Sequence, residues 1–193
     1  EIMADPQGKK WHDMIKSGQG GAAAMDIIGN FGTGTISKAI LPLPGTKAYA
    51  SAWADTVNAA EEANDPGKFT AFIGFEWTSN TGGNNLHRNV IFRDNGDKAS
   101  KVEPFTTMKP LGSDDPVDLW KWMDAYQQAT GGRVLAIAHN GNLSNGRMFP
   151  VVEAFGKKLD AEYVTSREKW ERLYETTQTK GTGEAHPSLS PDD

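Results

Sequence analysis

Three apolar segments rich in β-forming residues stand out in the pattern of hydrophobic and polar positions, at residues 69–76, 86–92 and 133–138. The first is apolar on both faces, which is typical of a buried strand rather than an exposed one. The third follows a glycine pair that ends a predicted helix, as expected in a helix–turn–strand unit. The sequence therefore predicts a strand in each of these three segments.

Apolar residues at helical spacing predict two long helices. The first covers residues 46–63, and Thr46 is suited to cap it. The second covers residues 116–129, where Asp115 is suited to the N-cap and Pro116 to the first turn. The predicted buried faces carry Tyr49, Trp53, Val57 and Ala60 in the first helix and Leu119, Trp122, Met123 and Tyr126 in the second.

The other predicted elements are shorter. They are helices at 11–16 and 20–28, a glycine-rich loop at 29–35, a charged helix near 160–170 and a last strand at 172–178. The glycine-rich loop lacks the GxxxxGKS/T pattern of a phosphate-binding loop, so we interpret it as a loop that needs positive φ. Alternating helices and buried strands favour an α/β fold, as either a sheet or a barrel.

The length of 193 residues suits one hydrophobic core, or a large piece of a bigger one. We expect a single domain or a fragment of one, with a loosely patterned region at 1–45 and an α/β segment at 46–193. The chain begins at Glu1 without an initiator Met or a signal peptide, and both ends resemble cut ends. We therefore expect an internal piece of a longer protein.

The net charge and the lack of cysteine argue against some classes of function. The net charge of −5 argues against nucleic-acid binding, where a basic surface is expected. No cysteine is present, so a metal would need nitrogen and oxygen ligands. No apolar run approaches the length of about 18 residues that a membrane span needs. The absence of cysteine fits the cytosol or the periplasm, and the location, like the oligomeric state, stays open.

The predicted strand ends carry three residues of metal-ligand type. Glu76 ends the first strand, His87 opens the second and His139 ends the third. If the first two strands run antiparallel and the third runs parallel to the first, all three side chains lie at one edge of the sheet. A carboxylate and two imidazoles are typical of a Zn, Mn or Fe hydrolase site. Taken alone, Glu76 can be an acid that emerges into solvent, His87 a loop histidine without a role, and His139 a histidine that caps a turn.

Four further residues are candidates for substrate binding or for orienting the metal ligands. Arg88 lies beside His87 and can be an anion clamp or a surface charge. Asn140 and Asn142 follow His139 in a polar loop that can orient ligands. His186 lies in a loop near Glu184 and can be a ligand or a solvated histidine. The sequence assigns no catalytic residue.

Six tryptophans leave a second class of function open. They can pack in the core, or they can line a groove that binds a carbohydrate or a polyanion without catalysis. A third alternative is a structural fragment whose function exists only in the longer protein.

Three long motifs carry a resemblance to a known family: FIGFEWTSNTGGNNLHRNVIFRDN, DLWKWMDAYQQATGGRVLAIAHNGNLSNGRMF and YETTQTKGTGEAHPSLSPDD. They resemble the bacterial domain-of-unknown-function family thirty-six-oh-four, over about residues 68–193. That family is similar to the PHP (polymerase and histidinol phosphatase) metallohydrolases. The resemblance implies a distorted (β/α)₇ barrel with two or three divalent metals at the mouth of its strands.

By this resemblance, Glu76 corresponds to a metal-bridging carboxylate, and His87 and His139 to metal-binding histidines. The early His-x-His, the later Asp-His pair and the final Asp-x-His of the PHP pattern do not occur among the four histidines of this chain. The chain would then hold only part of the ligand set. The expected function is the central segment of a metal-dependent hydrolase that acts on a small phosphoester or a related anionic substrate.

Overall fold

The computed structural model describes residues 2–41, 43–184, 186 and 188. The chain forms two compact units, Glu1–Leu43 and Pro44–Asp193. Within the described residues, no helix is both long and apolar enough to cross a membrane.

The first unit is a pair of helices. A short 3₁₀ turn, Ile2–Ala4, precedes α1, Pro6–Lys16, and α2 covers Gly20–Thr33. Trp11 of α1 is buried, and its indole Nε1 donates a 2.7 Å hydrogen bond to the Asp26 carboxylate of α2. The contact satisfies a buried donor while its ring fills the space between the helices.

Both helices of this unit are longer than the sequence predicted. The prediction of a loop at 29–35 is wrong for most of its length, because α2 continues to Thr33. Only Gly34 has a left-handed backbone, with φ of 68°, and it forms the C-cap of the helix. Glycines inside a helix weaken it by about 1 kcal/mol each but do not forbid it.

The second unit is built on a four-stranded sheet, whose strands in spatial order are β1 Gly74–Trp77, β2 Arg88–Phe92, β3 Val134–Ala138 and β6 Leu173–Tyr174. The pairs β1–β2 and β2–β3 are antiparallel, and β6 pairs in parallel with β3. This is a mixed α/β fold with an open sheet, and the described residues form no closed barrel.

Strand alternation gives the sheet two different faces. Residues such as Val90 and Ala136 are fully buried in one core with helix side chains such as Trp53 and Leu119. The alternate residues Leu135 and Leu173 are exposed on the opposite face. We call these the helix-covered face and the open face. The hydrophobic effect acts mainly on the first of them.

The helix predictions in this unit are confirmed. The helices are α3 Lys47–Ala63, α4 Gly96–Ala99, α5 Pro116–Thr130 and α6 Ala161–Trp170. Thr46 caps α3 by accepting from the Tyr49 amide, and Asp115 caps α5 by accepting from the Val117 amide. Gly131 ends α5 with φ of 62°. Each cap satisfies backbone groups that the helix itself leaves unpaired.

Short elements complete the unit. They are the hairpins β4 Glu153–Ala154 with β5 Lys157–Lys158 and β7 Thr177–Gln178 with β8 Gly181–Thr182, and the 3₁₀ turns Thr81–Gly83 and Gly141–Leu143.

Two strand predictions need correction. The first strand is Gly74–Trp77 rather than 69–76, because Phe69 and Phe72 are exposed and lie outside the ladder. The predicted last strand at 172–178 splits into β6 and β7, which belong to different sheets. Apolar composition alone does not distinguish a ladder residue from an exposed apolar residue beside it.

Candidate metal centre

Three strand ends bring Glu76, His87 and His139 together. Glu76 lies on β1 opposite Asn89, His87 immediately precedes β2, and His139 immediately follows β3. The backbone amide of His139 donates to the carbonyl of His87 over 3.3 Å, which places the two histidines side by side. Their strand neighbours point into the core, so period-two alternation places all three side chains on the open face.

The ligand-type atoms of these residues converge. Oε1 of Glu76 lies 2.9 Å from Nδ1 of His87 and 2.9 Å from Nε2 of His139. One ligand atom from each residue lies within 4.8 Å of the others. Among the described residues, no other group of three or more His, Asp and Glu residues has this geometry. We call Glu76, His87 and His139 the open cluster.

Electrostatics keep the Glu76 carboxylate ionised. Hydrogen bonds from His139 and then His87 hold the pKa of Glu76 well below its usual range, while partial burial opposes them. The Glu76 side chain is 44% exposed, whereas those of His87 and His139 are 12% and 6% exposed. The Glu76 carboxylate of the open cluster is therefore negatively charged and accessible to solvent.

The residues fit a divalent transition metal by their chemistry. Two imidazole nitrogens and one carboxylate oxygen form a borderline donor set of the kind that Zn²⁺ accepts. Nδ1 of His139 is buried and has no hydrogen-bond partner within the part of the chain that the structure describes. A buried nitrogen without a hydrogen-bond partner is costly, and folded proteins keep few of them.

Arg88 points to the helix-covered face instead of the cluster. Its side chain is 1% exposed, and its Nε donates over 2.9 Å to the carboxylate of Glu171, which is equally buried. Trp120 Nε1 donates to the same carboxylate oxygen over 2.9 Å. We call Arg88, Trp120 and Glu171 the closed cluster. These contacts favour a structural role for Arg88 over the substrate-binding role that the sequence suggested.

The other sequence candidates lie in different settings. Asn140 is buried with a left-handed backbone, φ of 57°, and neither polar atom of its side chain has a partner among the described residues. Asn142 is exposed and donates to the Lys180 carbonyl over 3.2 Å. His186 is exposed, and its Nδ1 lies 2.8 Å from the Ser188 hydroxyl. His186 and Glu184 are not in the group of converging ligand atoms.

The sequence did not point to two residues, of which one contacts the open cluster and the other contacts Arg88. Asn80 lies in the loop after β1, and its Oδ1 is 3.0 Å from Nε2 of His87. Glu171 follows α6 and is 83 residues from Arg88 along the chain. The asparagine-rich loop 80–85 gave a weak signal for the first, and no local pattern points to the second.

The tryptophans belong to the cores of the two units. Trp11, Trp53, Trp77, Trp120 and Trp170 are buried, and Trp122 packs against the main core. The tryptophans therefore serve mainly as core residues, although Trp170 and Trp120 each also border a surface pocket.

The family described as protein of unknown function (DUF3604) matches residues 1–193. The chain belongs to this family. The resemblance that the sequence suggested over residues 68–193 is confirmed and extends over the N-terminal region as well. Comparison with curated proteins and with solved structures finds no match.

Proposed function

We propose that this chain carries part of the metal centre of a divalent-metal-dependent hydrolase. The observation that carries the proposal is the convergence of Glu76, His87 and His139 on the open face of the sheet. His139 is buried, His87 is half-buried and Glu76 is exposed, and all three lie outside the main core of this unit, which is on the other face.

The open cluster supplies three ligands and leaves room for others. His87 offers Nδ1, His139 offers Nε2 and Glu76 offers carboxylate oxygens. When bound, Zn²⁺, Mn²⁺ or Fe²⁺ would polarise a substrate oxygen and lower the pKa of water. Remaining positions belong to water, to substrate or to further protein ligands, as in catalytic metal sites that keep an open position.

The two histidines suit Glu76 to the role of a metal ligand rather than that of a proton donor. Because the two histidines depress its pKa, Glu76 carries no proton to give at neutral pH. Backbone pairing of β1 with β2 and of β2 with β3 fixes the register of the three strand ends. This pairing holds the ligand atoms of the open cluster in place.

The substrate class rests on the similarity to PHP metallohydrolases that the sequence suggested. It favours a phosphoester or a related small anionic substrate, in a PHP-like distorted (β/α)₇ barrel with two or three metals. In that arrangement the four-stranded sheet is one arc of the barrel, and the exposed apolar side chains of the open face point inward. The acid and the two histidines at its edge are consistent with a metal-lined mouth.

The test is hydrolysis of p-nitrophenyl phosphate and bis(p-nitrophenyl) phosphate with and without added Zn²⁺, Mn²⁺ or Fe²⁺. We expect metal-dependent hydrolysis by the wild-type protein and its reduction by roughly 100-fold or more in His87→Ala/His139→Ala. His12→Ala is the matched control, because His12 is half-buried on α1 and its hydrogen-bond partner among the described residues is Asp13. Equal hydrolysis by the double variant would overturn the proposal.

A further inference from the structure

One side chain outside the open cluster contacts a cluster histidine on the ring edge that faces away from Glu76. His87 directs Nδ1 toward the Glu76 carboxylate at 2.9 Å, and its opposite nitrogen, Nε2, lies 3.0 Å from Oδ1 of Asn80. Both ring nitrogens of His87 are therefore engaged. His139 differs, because its second nitrogen has no partner among the described residues.

Hydrogen bonds on both sides of Asn80 fix the loop that carries it. The neighbouring Ser79 is fully buried, and its hydroxyl donates to the Asp114 carbonyl over 2.9 Å. Leu86 donates its amide to the Ser79 carbonyl over 2.9 Å, which closes the loop. The Asn80 carbonyl itself accepts from the Gly83 amide over 3.1 Å. Asn80 is thus held against His87 by a fixed backbone, although its side chain reaches the surface.

The hydrogen-bond chemistry of imidazole gives this contact a direction. A neutral histidine carries a proton on one ring nitrogen and a lone pair on the other. A metal at Nδ1 requires the lone pair there, so the proton must lie on Nε2 and needs an acceptor. The amide oxygen of Asn80 is that acceptor, whereas its NH₂ group could only donate to a lone pair on Nε2.

We propose that Asn80 is a positioning residue of the metal centre. When a metal takes the place of the Nδ1 proton, Oδ1 of Asn80 would accept the Nε2–H of His87, which would fix the ring with Nδ1 as the metal-binding nitrogen. The inference rests on the proposed function and adds to it a residue outside the cluster that selects the tautomer of a ligand. Partners of this kind raise metal affinity by about 10- to 100-fold.

The experiment measures Zn²⁺ affinity by competition with a chromophoric chelator at neutral pH. We expect Asn80→Ala to weaken Zn²⁺ binding by about 10- to 100-fold, and Asn80→Asp to restore it to within a few-fold, since a carboxylate also accepts from Nε2–H. Asn58→Ala is the matched control, because Asn58 is exposed on α3, and we expect unchanged affinity. Circular dichroism of the metal-free variants checks their folding.

A second readout separates positioning from general support of the loop. In the Zn²⁺-bound wild-type protein, ¹⁵N NMR of the His87 ring should show a protonated Nε2 and a metal-bound Nδ1. A protonated Nδ1 would overturn the inference even if Asn80→Ala fails to fold.

The failures of the two proposals are distinguishable. If the wild-type protein binds no Zn²⁺, the proposed function and this inference both fail. If the wild-type protein and Asn80→Ala bind Zn²⁺ equally well, or if folded Asn80→Asp remains as weak as Asn80→Ala, only the role of Asn80 is overturned.

Discussion

His87 and Arg88 are neighbours in the chain and belong to two opposite kinds of polar cluster. Arg88 lies in the closed cluster on the helix-covered face, where its guanidinium and the Glu171 carboxylate are both 1% exposed. His87 lies in the open cluster, whose acid is 44% exposed. A change of one residue along a strand turns the side chain to the other face of the sheet.

Every side-chain nitrogen and oxygen of the closed cluster has at least one hydrogen-bond partner. Glu171 accepts from Arg88 and Trp120, and Arg88 also donates from Nη1 to the Leu86 carbonyl. Burying two charges is costly, and only such complete pairing offsets the desolvation. The Arg88 and Glu171 side chains are buried and paired with each other, which favours a structural role for the closed cluster.

The open cluster keeps unused capacity. One carboxylate oxygen serves two imidazoles, and Nδ1 of His139 has no partner among the described residues. Charged groups that are reachable and incompletely paired are the kind that bind metals or substrates. The comparison teaches that pairing and exposure, rather than charge itself, separate a structural ion pair from a candidate site.

The largest effect is expected from breaking the closed cluster. Arg88→Met removes one partner of a buried pair and should lower the free energy of unfolding by about 3–5 kcal/mol, measured by urea denaturation. Lys121→Met is the control, because Lys121 and Asp118 form an exposed pair that is worth at most about 1 kcal/mol. Similar losses in the two variants would remove the distinction between the clusters.

The next effect comes from metal at the open cluster. Zn²⁺ at 100 times its dissociation constant should raise the free energy of unfolding of the wild-type protein by about 2.7 kcal/mol, because it binds only the folded state. Glu76→Gln keeps the side-chain volume but removes the anionic ligand, so most of this gain should vanish. Thermal denaturation with Zn²⁺ and with a chelator measures both values. A gain that persists in Glu76→Gln would contradict a site at the open cluster.

A smaller, pH-dependent effect is expected on the helix-covered face. Burial, and then a hydrogen bond to Asp94, raises the pKa of Tyr126 to about 12. The unfolded chain loses this proton near pH 10. Tyr126 therefore contributes its full stabilisation below about pH 10 and loses it progressively as the pH rises toward about 12.

Tyr126→Phe should cost about 1 kcal/mol at neutral pH through the lost hydrogen bond, and its stability should fall less steeply above pH 10. Denaturation from pH 8 to 12 measures the slope. Some slope should persist, because burial also raises the pKa of Tyr49 to about 12. An unchanged slope in Tyr126→Phe would show that this hydroxyl is not linked to folding.

The sequence predicted those parts of the fold that depend on local signals. Asp115 with Pro116, and Gly131, set the ends of α5 because caps act over a few residues. The prediction of a strand at 69–76 was wrong at its start, because only pairing with β2 decides which residues join the ladder. The barrel expected from the resemblance stays a proposal.

The convergence of Glu76, His87 and His139 was predictable for a related reason. The open cluster follows from three strand ends, which the sequence locates by their apolar runs. The structural role of Arg88 was not predictable, because Glu171 reaches it only through the packing of α6, 83 residues away along the chain. Asn80 was missed because its contact depends on how the loop between β1 and β2 closes.

The most direct test of a metal at Glu76, His87 and His139 is the metal content of the protein purified without added metal. Plasma mass spectrometry should find a stoichiometric transition metal in the wild-type protein and none in the His87→Ala/His139→Ala variant. Equal metal content in the two proteins, or none in either, would contradict a metal centre at the open cluster.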